Sequence, residues 1–335
     1  MYEGDIAQFG FEELEPDIDL LAGGPPCQPF SIGGKHRGMN DHRNLFPQYF
    51  RALRILRPRA LLVENVRGLT RKAFSDFFEY IKLSLTYPEI IQRQDEEWMH
   101  HHKRLQQHHT SGSSHSGELT YNIIPRLINA ADYGEPQLRW RVILVGFRND
   151  FAARWSFPDP THSREALLHD MWMTGAYWER HRIATSQRPE RPALSHATLN
   201  QLTFQTEGTR PWSTVRDAIS DLPDPFHAPT HEIPNHSPQY GAKAYAGHTG
   251  SPLDEPAKAL KAGVHGVPGG ENMIAFPDGS VRYFTAREAA RVQTFPDDYI
   301  LTGAWTEAMR QIGNAVPVSV AELIAREIAH HLRRV

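Results

Sequence analysis

Between residues 18 and 66 the chain alternates short apolar runs with one helical period, and that succession restricts the available folds more than any other stretch. IDLLAGG (18–24) is an apolar run ended by glycines, and RNLFPQYFRALRILRP (43–58) repeats apolar residues at helical spacing until Pro58 stops it. ALLVENV (60–66) is a second apolar run. Strand, loop, helix, strand is the grammar of a parallel sheet covered by helices. YNIIPRLINAADYG (121–134) and RWRVILVGFR (139–148) supply two further strands, joined by a polar turn with Gly134 and Pro136. Reactive groups in such sheets collect beyond the carboxyl ends of the strands. Cys27 and Glu64 both fall there.

A length of 335 residues suits one large domain and one smaller one. The boundaries read as 1–150, then 151–280, where proline and glycine break the chain into short segments and Trp172, Trp178 and Trp212 look exposed, then a return segment, 281–335. In that last part TAREAARVQTFP (285–296) predicts a helix capped by Thr285 with Glu288 three positions on, and SVAELIAREIAHHLRRV an amphipathic helix. The segment 95–119 is rich in histidine, serine and glycine and reads as a flexible surface insertion. No cysteine or regularly spaced carboxylate joins its histidines, so no metal site is expected. No apolar run reaches the roughly 20 residues that span a bilayer, and no basic and apolar leader opens the chain, which points to the cytoplasm. A net charge of −3 gives no global sign of a nucleic-acid partner; basic clusters at Arg51, Arg54, Arg57 and Arg59, and at Arg139, Arg141 and Arg148, are local.

Cys27 is the only cysteine, so it forms no internal disulfide and no CxxC pair. In GGPPCQPFS (23–31) it stands between prolines, each of which locks its own φ and restricts the residue before it. That rigidity suits a nucleophile, and the polar, turn-rich setting argues against a packed structural thiol. Glu64, in ENV (64–66), is a carboxylate directly after an apolar run, where burial would raise its pKa and let it donate a proton; a helix cap is the plainer reading. In QLRWR (137–141), strand alternation sends Gln137, Arg139 and Arg141 to one face as a fork of donors, or else they are surface charges.

GGPPCQPFS, ENV, QLRWR, REAARVQTFPDDY (287–299) and RQIGNAVPV (310–318), in that order, resemble the signature blocks of the DNA (cytosine-5-)-methyltransferases from about residue 17 to the end. The resemblance implies a doubly wound α/β sheet of the S-adenosylmethionine-dependent, Rossmann-like kind, with a catalytic domain, a target-recognition domain at 151–280 and a return segment packing on the first. It implies that Cys27 is the nucleophile that adds to cytosine carbon 6, that Glu64 bonds N3 and the exocyclic amine, and that Asn65 supports the cysteine loop. Arg141 matches the arginine on the cytosine O2, with Arg139 and Gln137 completing the site. Asp5, Ile6, Pro25, Pro26, Leu45, Asn314, Ala315 and Val316 match cofactor positions. Ser31, Lys35, Arg37 and Arg43, in the loop after the nucleophile, are expected on duplex DNA.

The family also begins with a strand and a DLFAGxGG-like glycine loop for the methionine part of the cofactor, and neither block is in this sequence. GDI (4–6) resembles the third cofactor block, with Asp5 placed for the adenine amine. The resemblance implies duplex DNA as the partner, with a cognate restriction endonuclease and a complementary amino-terminal polypeptide as candidates. A mis-called start or gene remnant is the preferred account of the missing blocks; a split enzyme completed by another polypeptide, and a truncated or split homologue that binds DNA without catalysis, are the alternatives.

Overall fold

The computed structural model describes residues 3–26, 44–112, 117–151, 154–193, 208–227, 232–262 and 272–333. They fall into two compact units: residues 1–128, 141–157 and 325–335 form the first, and residues 129–140 and 158–324 the second.

In the first unit, β1 (Leu20–Gly23) and β2 (Ala60–Val66) pair in parallel, with Leu20 opposite Ala60 and Gly23 opposite Val63. The helix between them, α1 (Phe46–Leu56), ends where Arg57 takes a left-handed φ of 45° and donates its N–H to Leu53 O; Pro58 then cannot continue it. The Tyr49 hydroxyl of α1 donates to Leu21 O (2.9 Å) or Leu62 O (3.2 Å), so one phenol bridges the two strands. After α2 (Ser75–Thr86) and α3 (Trp98–Ser111) come β3 (Tyr121–Asn129), β4 (Gln137–Leu138) and β5 (Trp140–Arg148). Among the described residues the main sheet runs β1-β2-β5-β3. β5 lies antiparallel to β2, Val66 opposite Arg141 and Ala60 opposite Phe147, so the sheet is mixed where a parallel one was expected. Phe46, Phe50, Leu53, Leu61, Val63, Ile81, Leu105 and Leu144 form the core under this sheet.

The segment expected to be a flexible insertion is instead mostly α3, docked on α2. His101 and His102 are buried on it with Leu105. The His101 ring bonds the Tyr80 hydroxyl at 3.0 Å through Nδ1 and Ile90 O at 2.7 Å through Nε2, and His102 stacks on Trp98. Counted as polar residues, these imidazoles hid the apolar stripe that their rings help to build.

The second unit is made of short pieces. β6 (His162–Ser163) pairs with β7 (Arg210–Pro211), β4 with β9 (Ala257–Lys258), and β8 (Ser251–Pro252) joins β10 (Met273–Ala275) and β11 (Val281–Tyr283). Between β6 and β7 lie α4 (Arg164–His169) and α5 (Ala176–Arg180), and α6 (Val215–Ile219) follows β7. The tryptophans that look exposed in sequence help close a small core: Trp178 is 1% exposed beside Tyr177 and Met171, with Trp172 and Trp212 packed against them. α7 (Ala286–Val292) carries the expected capping box, with Thr285 and Glu288 each bonding the other's backbone N–H. α8 (Trp305–Asn314) and α9 (Val318–Arg333) follow, the latter ending in the first unit. No described helix is long and apolar enough to cross a membrane.

Candidate active site

Glu64 and Arg141 meet on one face of the main sheet. Because Val66 stands opposite Arg141 and Glu64 opposite Ile143, the two side chains are diagonal cross-strand neighbours. Arg141 Nε lies 2.6 Å from Glu64 Oε1, and the side chains are only 16% and 15% exposed. Burial pulls the Arg141 pKa below its ordinary value, while the negative charge and hydrogen bond of Glu64 oppose that pull. The end of β1 presses on the same carboxylate: a Cβ at Gly24 would stand 3.2 Å from Glu64 Oε2. Gly24 is a site residue that sequence reasoning missed, since its only signal was the glycine pair ending an apolar run.

Asn65, one residue on, points to the other face and is buried. Its Nδ2 donates to Pro25 O at 3.0 Å while its Oδ1 accepts from the Val66 N–H at 2.9 Å. Leu45, at the start of α1, donates its N–H to Pro26 O at 3.3 Å. The dipeptide before Cys27 is thus strapped to β2 on one side and to α1 on the other. Cys27, Ser31, Lys35, Arg37 and Arg43 lie outside the described residues.

Gln137 and Arg139, expected to form a fork of donors with Arg141, are taken up by bonds within the second unit. The chain leaves strand geometry at Arg139, between β4 and β5, so alternation does not run through the motif. Both side chains are buried within the second unit. Arg139 donates to Leu260 O (2.9 Å), Gly313 O (2.7 Å) and Ala315 O (3.0 Å). Gln137 donates to Gln293 Oε1 (3.0 Å) and accepts from the Leu260 N–H (3.0 Å). These two residues are struts for the α8–α9 loop. Gln293, which donates to Ile312 O at 2.6 Å, belongs to the same scaffold and carried no sequence signal of its own.

The expected cofactor positions are found in both units. In the first, Asp5 is exposed and caps a short turn by accepting the Ala7 N–H at 2.9 Å. Arg51 of α1 holds that turn by donating to Ile6 O (2.8 Å) and Phe9 O (3.0 Å). In the second, Asn314 is exposed at the end of α8, and the Ala315 carbonyl is the one that Arg139 grips. The Asp5 carboxylate is exposed and chemically able to accept from an exocyclic amine, and Leu45 meets Pro26 through its backbone N–H. The sequence carries no glycine-loop block for the methionine end.

The described strand ends of a mixed α/β sheet thus carry a buried acid and guanidinium beside the strapped prolines. The fission yeast S. pombe Dnmt2 methyltransferase shares the fold with a TM-score of 0.52 at 17% identity, over 99% of this chain and 84% of that one. Comparison of sequences goes further. The family described as C-5 cytosine-specific DNA methylase matches residues 1–87 and 98–330, and the chain belongs to that family. It is 28% identical to the Type II methyltransferase M.Eco47II of Escherichia coli, over 99% of this chain and 69% of that protein. It is 30% identical to the Type II methyltransferase M.NgoFVII of Neisseria gonorrhoeae, over 97% and 74%. The enzyme is therefore a C-5 cytosine-specific DNA methyltransferase, and its methyl donor is S-adenosylmethionine.

Proposed function

We propose that the chain methylates a cytosine that has been turned out of duplex DNA, through a covalent bond from Cys27 to carbon 6 of the ring, in the manner of a Type II restriction-modification methyltransferase. The Glu64–Arg141 pair carries this reading, because it sets one acid and one guanidinium side by side at the strand ends next to the residues that lead to Cys27.

Cytosine carbon 5 is a poor nucleophile until a thiolate adds at carbon 6. As the Cys27 sulfur adds, negative charge develops over N3 and O2. Glu64, ionised beside Arg141 at rest, takes up a proton from solvent as the base enters, donates it in a hydrogen bond to N3 and accepts from the exocyclic amine, while Arg141 donates to O2. Holding the two side chains against each other before the base arrives spares the site from ordering them during the reaction. Bound S-adenosylmethionine supplies an electrophilic methyl group to carbon 5. A base then removes the carbon 5 proton, the electron pair re-forms the ring double bond, and the Cys27 thiolate leaves. A ring stacked within a duplex cannot reach such a group, so the base must be flipped out.

Ser31, Lys35, Arg37 and Arg43 are proposed to hold phosphates, and residues 151–280 to read the target bases. A cognate endonuclease is the proposed functional partner, in the cytoplasm. The glycine-loop segment, as residues upstream in the same polypeptide or as a second polypeptide, is the proposed complement for the methionine end of the donor. The test is trapping on a duplex whose target is 5-fluorocytosine, with that segment and S-adenosylmethionine supplied. A denaturation-resistant protein–DNA adduct that disappears in Cys27→Ser is expected; absence of any adduct from the wild-type chain overturns the reading.

A further inference from the structure

Glu135 precedes the QLRWR motif, has no part in the proposed chemistry, and is completely buried. Its Oε1 accepts from Ser319 Oγ at 2.7 Å and from the Val320 N–H at 3.2 Å, in the first turn of α9. Its Oε2 is buried with no hydrogen-bond partner among the described residues. The groups that face the carboxylate are Arg139, the hydroxyl of Thr294 after α7, and the Ser319 hydroxyl and Val320 amide of α9. Arg139 in turn holds the carbonyls of Gly313 and Ala315, and Thr294 Oγ1 accepts the Ser319 N–H at 3.0 Å. One carboxyl group thus sits behind both ends of the short loop from Gly313 to Pro317.

We propose that Glu135 is a proton-controlled positioning residue that keeps the Gly313–Pro317 loop closed while it is neutral and loosens it when it ionises. A half-satisfied carboxylate in a sealed polar network is tolerated when uncharged and costly when charged. Burial, the largest influence on this group, raises its pKa to about 7, against the smaller opposing effects of Ser319, Val320 and Arg139. Opening the loop hydrates the carboxylate and returns it toward its ordinary value. Rising pH therefore favours the open state across the interval between the ordinary and the raised pKa. The functional consequence rests on the reading of Asn314–Val316 as cofactor contacts: affinity for S-adenosylmethionine falls as the loop loosens.

The test is amide hydrogen exchange in the full chain, corrected for intrinsic rates, on peptides covering 313–321 at pH 5.5 and pH 8.5. Wild-type protection is expected to drop about tenfold or more over that interval, and in Glu135→Gln, which fixes the neutral shape, to stay flat. A flat wild-type profile, or the same drop in Glu135→Gln, overturns the proposal. In the second arm KM for S-adenosylmethionine is followed against pH with the glycine-loop segment present. Glu135→Gln is expected to flatten the rise of KM, and Asn314→Ala to raise KM at every pH. If Asn314→Ala leaves KM unmoved, the cofactor reading of the loop fails, while the exchange experiment still decides the role of Glu135.

Discussion

Arg139 and Arg141 are two residues apart and behave as different kinds of residue. Arg141 keeps a carboxylate partner on the sheet face, while Arg139 is consumed by three backbone carbonyls. Both stand in a recognisable motif, and strand periodicity predicts one face for them; residue 139 instead lies between two strands, where alternation does not apply. Truncating Arg141 to Ala leaves the Glu64 charge buried without its cation. A loss of about 3 kcal/mol in the urea unfolding free energy is expected, together with a 10²- to 10³-fold slower adduct formation on 5-fluorocytosine DNA. Arg139→Ala is expected to act otherwise, by freeing the carbonyls of the α8–α9 loop, so that stability falls and KM for the methyl donor rises while the adduct rate at saturating donor changes little. Gly313 reports on the same loop. A Cβ there would overlap the backbone of Ala262, which cannot rotate away as a side chain could, and Gly313→Ala is expected to cost about 1–3 kcal/mol in the same unfolding measurement.

At the level of elements, the helices announced by local chemistry formed where expected. α7 is the clearest case, because a capping box is written in four consecutive residues and needs no distant partner. Its cap is nevertheless tied to a tertiary contact: His236 bonds Thr285 Oγ1 at 2.9 Å through Nδ1 and Pro223 O at 2.8 Å through Nε2. Thr285→Ala should therefore sit at the upper end of the range for lost caps, about 2 kcal/mol, and Thr285→Ser well below it, by thermal or urea denaturation. α3 was not foreseen, and it carries a pH dependence. Burial lowers the pKa of both His101 and His102. A histidine depressed in the folded state contributes stability that is complete above its ordinary pKa of about 6.5 and is lost as pH falls through the lowered value, because the unfolded chain takes up the proton first. The amides of α3 are expected to exchange faster, relative to α1, at pH 5 than at pH 8, and a uniform change across both helices would contradict this.

For the whole molecule, two units with separate cores imply that heat unfolding is not a single two-state event; the van't Hoff enthalpy is expected to fall below the calorimetric enthalpy. The sequence by itself determined what depends on neighbours along the chain: the strand, helix, strand order, the stop at Pro58, the cap of α7 and the blocks that mark the family. Tertiary structure alone decided what depends on residues far apart. The antiparallel turn of β5 brings Arg141 to Glu64, a bond between Asn65 and Pro25 ties the strand end to the loop, and packing buries three of the residues that look most exposed or most reactive in sequence, Trp178, Arg139 and His101. The physical reason is the same in each case. Backbone φ and ψ preferences and caps are local energies carried by a few residues, whereas burial and ion pairing are fixed only when another segment arrives, and periodicity cannot say which segment that is.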